Sequence, residues 1–189
     1  MTDSYEIHPL TADRWDDLVT LFGPKGAQEG CWCMWWRQTA ADWKVMHGKK
    51  NKEAMRSRVE AGEEPGLLAY SEGEPVGWIS LGPRESFPRF EKSKILKPID
   101  DRPVWSIICF YIAKAHRRQG LSVAMLRAAI AYAKEHGATI VEGYPTDPKD
   151  GKGVDAFVFT GLMSAFEQVG FKEVARRSET RPIMRLELE

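Results

Sequence analysis

Val104-Trp105-Ser106-Ile107-Ile108-Cys109-Phe110-Tyr111-Ile112-Ala113 is followed by His116-Arg117-Arg118-Gln119-Gly120-Leu121-Ser122, a helix-period run to His136, and Ala138-Thr139-Ile140-Val141-Glu142-Gly143-Tyr144-Pro145. This order decides the fold. The first run is apolar on both of its alternating faces, Ile107, Cys109 and Tyr111 on one and Ile108, Phe110 and Ile112 on the other, as in a central strand covered from both sides. The basic turn holds one glycine. Leu121, Met125, Ala129 and Ala133 then form one stripe of a helix, with Leu126 and Ile130 beside it, and Gly137 ends it. A strand entering a helix through a short turn presents free backbone N–H groups at the helix start, and these suit phosphate.

The flanking sequence completes an α/β layout. Tyr5 to Pro9 reads as a short strand ended by proline. Thr11 is placed to cap a helix reaching Phe22, with Trp15, Leu18, Val19 and Phe22 inward. Residues 51–61 read as a polar helix. Gly66 to Tyr70 and Pro75 to Leu81 flank Ser71-Glu72-Gly73-Glu74, a hairpin. Arg84 to Arg102 is a long charged connection, of the kind that is often functional or mobile. Asp147 to Asp155 reads as a Gly/Pro/Asp loop. Thr160 to Val169 predicts a helix with Leu162, Met163, Phe166 and Val169 inward, and Lys172–Arg177 and Pro182–Leu188 predict two closing strands. The expectation is one domain over 1–189, a mixed central sheet flanked by helices.

Composition narrows the function. The 189 residues carry 27 basic and 27 acidic side chains, so no global field favours nucleic acid or an anionic membrane. No apolar run approaches the roughly 20 residues of a membrane span. Three cysteines give no disulfide framework, and a reducing cytoplasm is the simplest setting. Cys31-x-Cys33 lacks zinc spacing and the four histidines are scattered, so no metal site is expected. Gly151-Lys152-Gly153 lacks the frame of a phosphate-binding P-loop.

Within its strand–helix–strand frame, Arg117-x-x-Gly120-x-Ser122 resembles the acyl-CoA-binding core of the GNAT acetyltransferase superfamily, with Ser122 in place of a final Gly or Ala. The resemblance implies a mixed α/β fold, acetyl-CoA as cofactor with CoA as product, and transfer of an acetyl group to a primary amine on a small molecule or peptide. It places the pyrophosphate on Arg117, Arg118, Gln119, Gly120, Leu121 and Ser122, and the pantetheine arm on the backbone of Ile112 and Ala113. Two family features are absent. Ser106 stands near the position of a glutamate base, and Phe166 stands where a tyrosine acid precedes the Gly170-Phe171 pair. A non-catalytic acyl-CoA-binding module is the alternative reading.

Glu142 and Tyr144 share one face of the second strand and are the replacement base and acid, if that face looks into the cleft. Against this stand an ion pair for Glu142 and a core role for Tyr144. Cys31-Trp32-Cys33-Met34-Trp35-Trp36-Arg37 falls where the family builds the acceptor side, and Trp35 and Trp36 are candidate acceptor contacts. A homodimer interface and plain core compete with that role.

Overall fold

A computed structural model describes residues 5–148 and 159–189. Most of the expected 147–155 loop, and Gly151-Lys152-Gly153 within it, lies outside the described residues. Seven strands form one sheet: β1 (Glu6–Pro9), β2 (Gly66–Ser71), β3 (Glu74–Pro83), β4 (Trp105–Ile112), β5 (Ile140–Gly143), β6 (Lys172–Arg176) and β7 (Pro182–Glu187), in the order β1-β2-β3-β4-β5-β7-β6. All neighbours are antiparallel except β4 and β5. That parallel pair needs a long crossover, which the helix α4 (Leu121–Glu135) supplies. The other helices are α1 (Trp15–Phe22), α2 (Ala40–Trp43), α3 (Lys49–Glu60) and α5 (Met163–Gln168).

Local chemistry explains the elements. The β2–β3 turn puts Glu72 and Gly73 at φ 51° and 82°, the left-handed pair that matches hairpin twist. Thr11 heads a single 3-10 turn at Ala12–Arg14 instead of capping α1 directly, and its hydroxyl donates to Asp13. α4 buries Leu121, Met125, Leu126, Ala129 and Ala133. Its small residues, and the bare Cα of Gly77 opposite Met125 and Leu121, let it lie close on β3.

α4 and α5 cover one face of the sheet, over Ile79, Leu81, Ile107, Phe110, Val141 and Met184. The other face carries two clusters. α1, α3 and residues 32–34 pack on Leu68, Tyr70 and Trp78, while Trp36, Phe87, Phe90 and Leu96 pack on Ile108, Tyr144 and Ile183. The 84–102 connection is therefore not a loose excursion. Phe87, Phe90 and Leu96 are buried, and it forms a wall of the core.

The strict alternation expected along β4 fails at one residue. Ser80 pairs with Cys109 and Leu81 with Ile107, so Ile108 has no partner of its own on β3. An extra residue in a strand reverses the sense of every side chain beyond it. Ile107, Phe110 and Ile112 accordingly lie on the α4 face, while Ile108, Cys109 and Tyr111 pack on the other. In the last helix Leu162 is exposed and precedes the helix, whereas Phe166 is fully buried.

Phe166 lies against Phe110, Phe171 and the bare Cα of Gly143, where an added Cβ would fall inside the ring's contact distance. Gly143→Ala is therefore expected to overpack this layer and destabilise the fold by about 1–3 kcal/mol, read as a lowered midpoint in thermal or denaturant unfolding.

Candidate functional site

β4 and β5 pair only from Trp105–Ile107 to Val141–Gly143. Beyond Ile107 the strands part, and the edge of β4 that left β5 must find other partners. Phe110 donates its N–H to the carbonyl of Phe159, and Thr146 bridges Leu162 farther out. Ala113 donates its N–H to Val76, on the β3 side. Because backbone groups alternate along a strand, Ile112 turns its N–H and C=O to the same open edge as Phe110. Of the two residues expected to meet an extended ligand through backbone, Ile112 faces the wedge and Ala113 is engaged with β3.

The basic turn closes the end of this wedge. Lys114–His116 form a 3-10 turn, Arg118 takes φ 62°, and Gly120 takes φ 82° as the residue before α4. Arg117 Nε donates to Ile112 O at 3.1 Å and Gln119 Nε2 to Ala115 O at 2.8 Å. These two bonds tie the turn to the strand it leaves. Val123 and Ala124 return their N–H groups to Gly120 O, while the N–H groups of Leu121 and Ser122, ahead of the first helical bond, point out of the helix. A Cβ on Gly120 would meet nothing within 4 Å, so the approach to these amides is open. The first turn of α4 carries no acidic residue, and Lys114, Arg117 and Arg118 lie in the turn that leads into it. Backbone donors, helix dipole and cationic side chains here all favour an anion.

Glu142 and Tyr144 do share a face, and they touch. Tyr144 Oη donates to Glu142 Oε1 at 2.6 Å. Arg84 Nη1 donates to Glu142 Oε1 at 2.9 Å and to Tyr144 Oη at 2.5 Å, and Arg185 Nε donates to Glu142 Oε2 at 2.6 Å. The one phenolic proton goes to Glu142, so Ser106 is the donor in its 2.8 Å bond to Tyr144 Oη. Arg185 reaches on to Asp100 through two bonds, 2.6 and 3.1 Å. Two arginines balance two carboxylates.

The expectation that this face opens into a cleft is corrected by burial. Glu142 is 1 % exposed and Tyr144 0 %, under Phe90, Leu96 and Ile183. Both carboxylate oxygens are taken by charged or phenolic donors. Desolvation, then the Glu142 charge, pushes the Tyr144 phenol well above its ordinary pKa. The ion-pair and core readings left open by the sequence describe the geometry of these two residues.

The aromatic segment divides. Trp36 is buried and stacks on Phe90 at 4.7 Å. Trp35 is half-buried between Trp43 and the Arg89 guanidinium, 3.8 Å above its ring. Trp32, which sequence reasoning did not single out, lines an open cavity of about 1010 Å3 with Lys25, His47, Lys49 and Lys52. Among the described residues there is no group of three or more His, Cys, Asp or Glu that could hold a metal ion, and no helix long and apolar enough to cross a membrane.

Sequence reasoning missed Arg84, Asp100 and Arg185. A signal existed: a glutamate in the otherwise apolar run Ile140-Val141-Glu142 must find buried counter-charge, and Arg185 is the one cation within a closing strand of apolar residues.

Comparison with known proteins gives one family and one fold. The model described as "Acetyltransferase (GNAT) family" matches residues 32–149. No curated protein sequence matches the chain. Among solved structures, PaiA N-acetyltransferase from Thermoplasma acidophilum in complex with coenzyme A is 16% identical, with 98% of this chain and 99% of that one aligned at a TM-score of 0.55. A GNAT-family acetyltransferase from Streptococcus pneumoniae is 13% identical over 98% and 100% of the chains at 0.57. The protein yncA from Salmonella typhimurium, solved with its cofactor acetyl-CoA, is 16% identical over 98% and 94% at 0.57.

Two outcomes test the buried network. Glu142→Gln leaves Arg84 and Arg185 undercompensated and should cost about 3–5 kcal/mol in a denaturant titration; lost turnover with an unchanged midpoint would instead make Glu142 a base. The hydrogen bonds from Arg185 hold the Asp100 carboxyl well below the usual carboxylate range. A depressed carboxyl adds stability above its unfolded pKa, about 3.9, and loses it as pH falls. The stability gap between wild type and Asp100→Asn should therefore be constant near neutrality and shrink below about pH 4.

Proposed function

The chain belongs to the GNAT acetyltransferase family, and from that premise we propose that it transfers the acetyl group of acetyl-CoA to a primary amine by direct attack. The observation that carries this reading is the open turn Arg117–Ser122 at the mouth of the β4–β5 wedge. As a member of the family it is an acyltransferase with acetyl-CoA as donor. We assign the pyrophosphate to the N–H groups from Gln119 to Ser122, with Arg118 beside them in the turn and Arg117 holding the turn against Ile112. The pantetheine arm lies along the open edge of β4, where Ile112 has its backbone groups.

The chemistry asks little of side chains. A neutral amine attacks the thioester carbonyl, a C–N bond forms, the C–S bond breaks with CoA thiolate as leaving group, and the extra proton on the attacking nitrogen passes, directly or through water, to that thiolate, giving the amide and CoA thiol. The protein contributes orientation, which removes most of the entropic cost, and N–H donors along the wedge that polarise the carbonyl. Glu142 and Tyr144 act as positioning residues in this scheme. Their network fixes where β5 ends and hence where the wedge opens. The acceptor approaches from the face opposite α4, where half-buried Trp35 offers aromatic surface and Trp36 supports it from inside the core.

The reading is tested by following acetyl-CoA consumption over a panel of amines, beside calorimetry with CoA. CoA binding without turnover on any amine would favour the non-catalytic module. Gly120→Val is expected to lose the close approach of phosphate to backbone. Loss of a charge-assisted bond of about 1.5–3 kcal/mol predicts roughly a 10- to 100-fold weaker CoA. Unchanged affinity in the folded variant would remove this placement.

A further inference from the structure

The chain between α1 and residues 31–38 turns on a left-handed backbone. Gly23, Gly26 and Gly30 take φ 62°, 58° and 70°, and Ala27, Glu29 and Trp32 take φ 68°, 49° and 48°. Two of these glycines are required by close approach. A Cβ on Gly26 would fall inside the Trp32 indole, and one on Gly30 would stand 2.6 Å from the Gly48 Cα. The Gly30 carbonyl accepts from two sides, from the Gly48 N–H at 3.2 Å and from Asn51 Nδ2 at 2.9 Å. Asn51 is fully buried, and its Oδ1 accepts from Gln38 Nε2 at 2.9 Å. The turn, the start of α3 and residues 31–38 are thereby locked together, and they wall the open cavity of about 1010 Å3.

The lining of that cavity is cationic. Lys25, Lys49 and Lys52 stand against one carboxylate, Glu29, with His47 beside them. Among the described residues Lys49 pairs with Glu53 at 3.7 Å, while Lys25 and Lys52 have no ion pair, and Lys52 Nζ rests 5.0 Å over the Trp32 ring. α3 starts at the same place. Gly48 heads it with no side-chain cap and its first turn holds no acidic residue, so the positive end of a 12-residue helix adds to the lysines. A carboxylate or phosphate answers this field, whereas a purely cationic amine meets like charge. The cavity also stands beside the assigned acyl site. Val19 and Gly23 line it, and between them in the chain the Phe22 ring meets Trp32 at 5.6 Å and Tyr111 of β4 at 5.5 Å. One ring therefore separates the cationic lining from the residue next to Ile112. On the other side His47 meets Trp43, and Trp43 meets Trp35, which joins the cavity to the aromatic surface.

We propose that this cavity holds the anionic end of the acetyl acceptor, so that the substrate is a primary amine bearing a carboxylate or a phosphate, and not a polyamine or a neutral amine. The inference rests on the acetyl-transfer reading above and names its substrate class. With the anion among Lys25, Lys52 and the start of α3, the amine extends past the Phe22 ring toward the thioester along β4. The lysines take no part in bond making. They draw the acceptor in and fix one end of it, which leaves the amine a short arc to search.

Matched amines decide it. 4-Aminobutyrate is compared with its primary amide, and O-phosphoethanolamine with ethanolamine, each carrying amine and anion at opposite ends, with putrescine as the dication. Acetyl-CoA consumption by the full-length chain gives kcat/KM for each. The anionic member of one or both pairs is expected to exceed its neutral partner by about 10-fold or more, the worth of a charge-assisted contact, and the pair that shows it tells carboxylate from phosphate. That preference should fall about 10-fold in the Lys25→Gln, Lys52→Gln double variant and shrink as ionic strength rises, a response that a packing role does not give. Equal turnover within both pairs, a preference for the neutral partner or for putrescine, or an anion preference that the double variant keeps would each overturn the proposal. Turnover of no amine at all defeats the acetyl-transfer reading itself and, with it, this substrate class. Calorimetry with glutarate and with inorganic phosphate then reads the cavity alone: binding lost in the double variant upholds an anion site there, and no binding removes that as well.

Discussion

Glu142 is a buried carboxylate at the middle of the sheet, and its charge must be answered on the spot. Removing one partner of such a pair typically leaves an uncompensated ion costing about 3–5 kcal/mol. The partners come from far along the chain: Arg84 after β3, Arg185 across from it on β7, Ser106 across from it on β4 by way of Tyr144, and Asp100 behind Arg185. Five segments are thereby held in one register at the point where β5 ends. A shift of β5 by one residue would turn Glu142 into the α4 face, among Ile107, Phe166 and Met184, where no cation waits. The ion pairs therefore do more for uniqueness than for net stability, since each gains Coulomb energy against a comparable cost of desolvation.

From this fixed point the wedge follows. β5 is only four residues long and ends at Gly143, whose missing Cβ leaves the space that the Phe166 ring fills. β4 continues to Ile112, and among the described residues no strand pairs with that edge beyond Ile107. An unpaired edge inside a domain is costly unless something bonds it. Phe159 takes one N–H and Arg117 takes the Ile112 carbonyl, and in the function proposed above the pantetheine arm meets this edge. The basic turn then stands where that ligand's phosphates would arrive.

Much of this was legible in the sequence, for physical reasons. The β4–turn–α4–β5 unit carries its own evidence: two-faced apolar strands, one glycine before a helix, and a helical stripe of Leu121, Met125, Ala129 and Ala133, all of which the structure reproduces within a few residues. The hairpin announced itself through Glu72-Gly73. What was not legible were non-local or sub-periodic features. A bulge changes the count of residues opposite one another and leaves no mark in a uniformly apolar run such as Ile107-Ile108-Cys109-Phe110. Alternation alone therefore put Cys109 with Ile107. The 84–102 connection reads in sequence as a long charged connection, and its anchors Phe87, Phe90 and Leu96 fall at irregular spacing, so no periodicity marks them as buried. Trp35 and Trp36 are adjacent and chemically equal in sequence, and only the fold separates a core ring from a surface one.

The two faces of β4 thus carry different burdens, and the bulge at Ile108 allows it. On the α4 side, Ile107, Phe110 and Ile112 are aliphatic or aromatic and pack against a helix that anchors the anion turn. On the other side, Ile108, Cys109 and Tyr111 lie in the clusters that hold Trp32, Cys33, Met34 and Trp36, and Ser106 bonds Tyr144. Without the extra residue, Phe110 would turn away from α4, and Cys109 would leave the polar pocket of Arg37, Ser80 and Trp78.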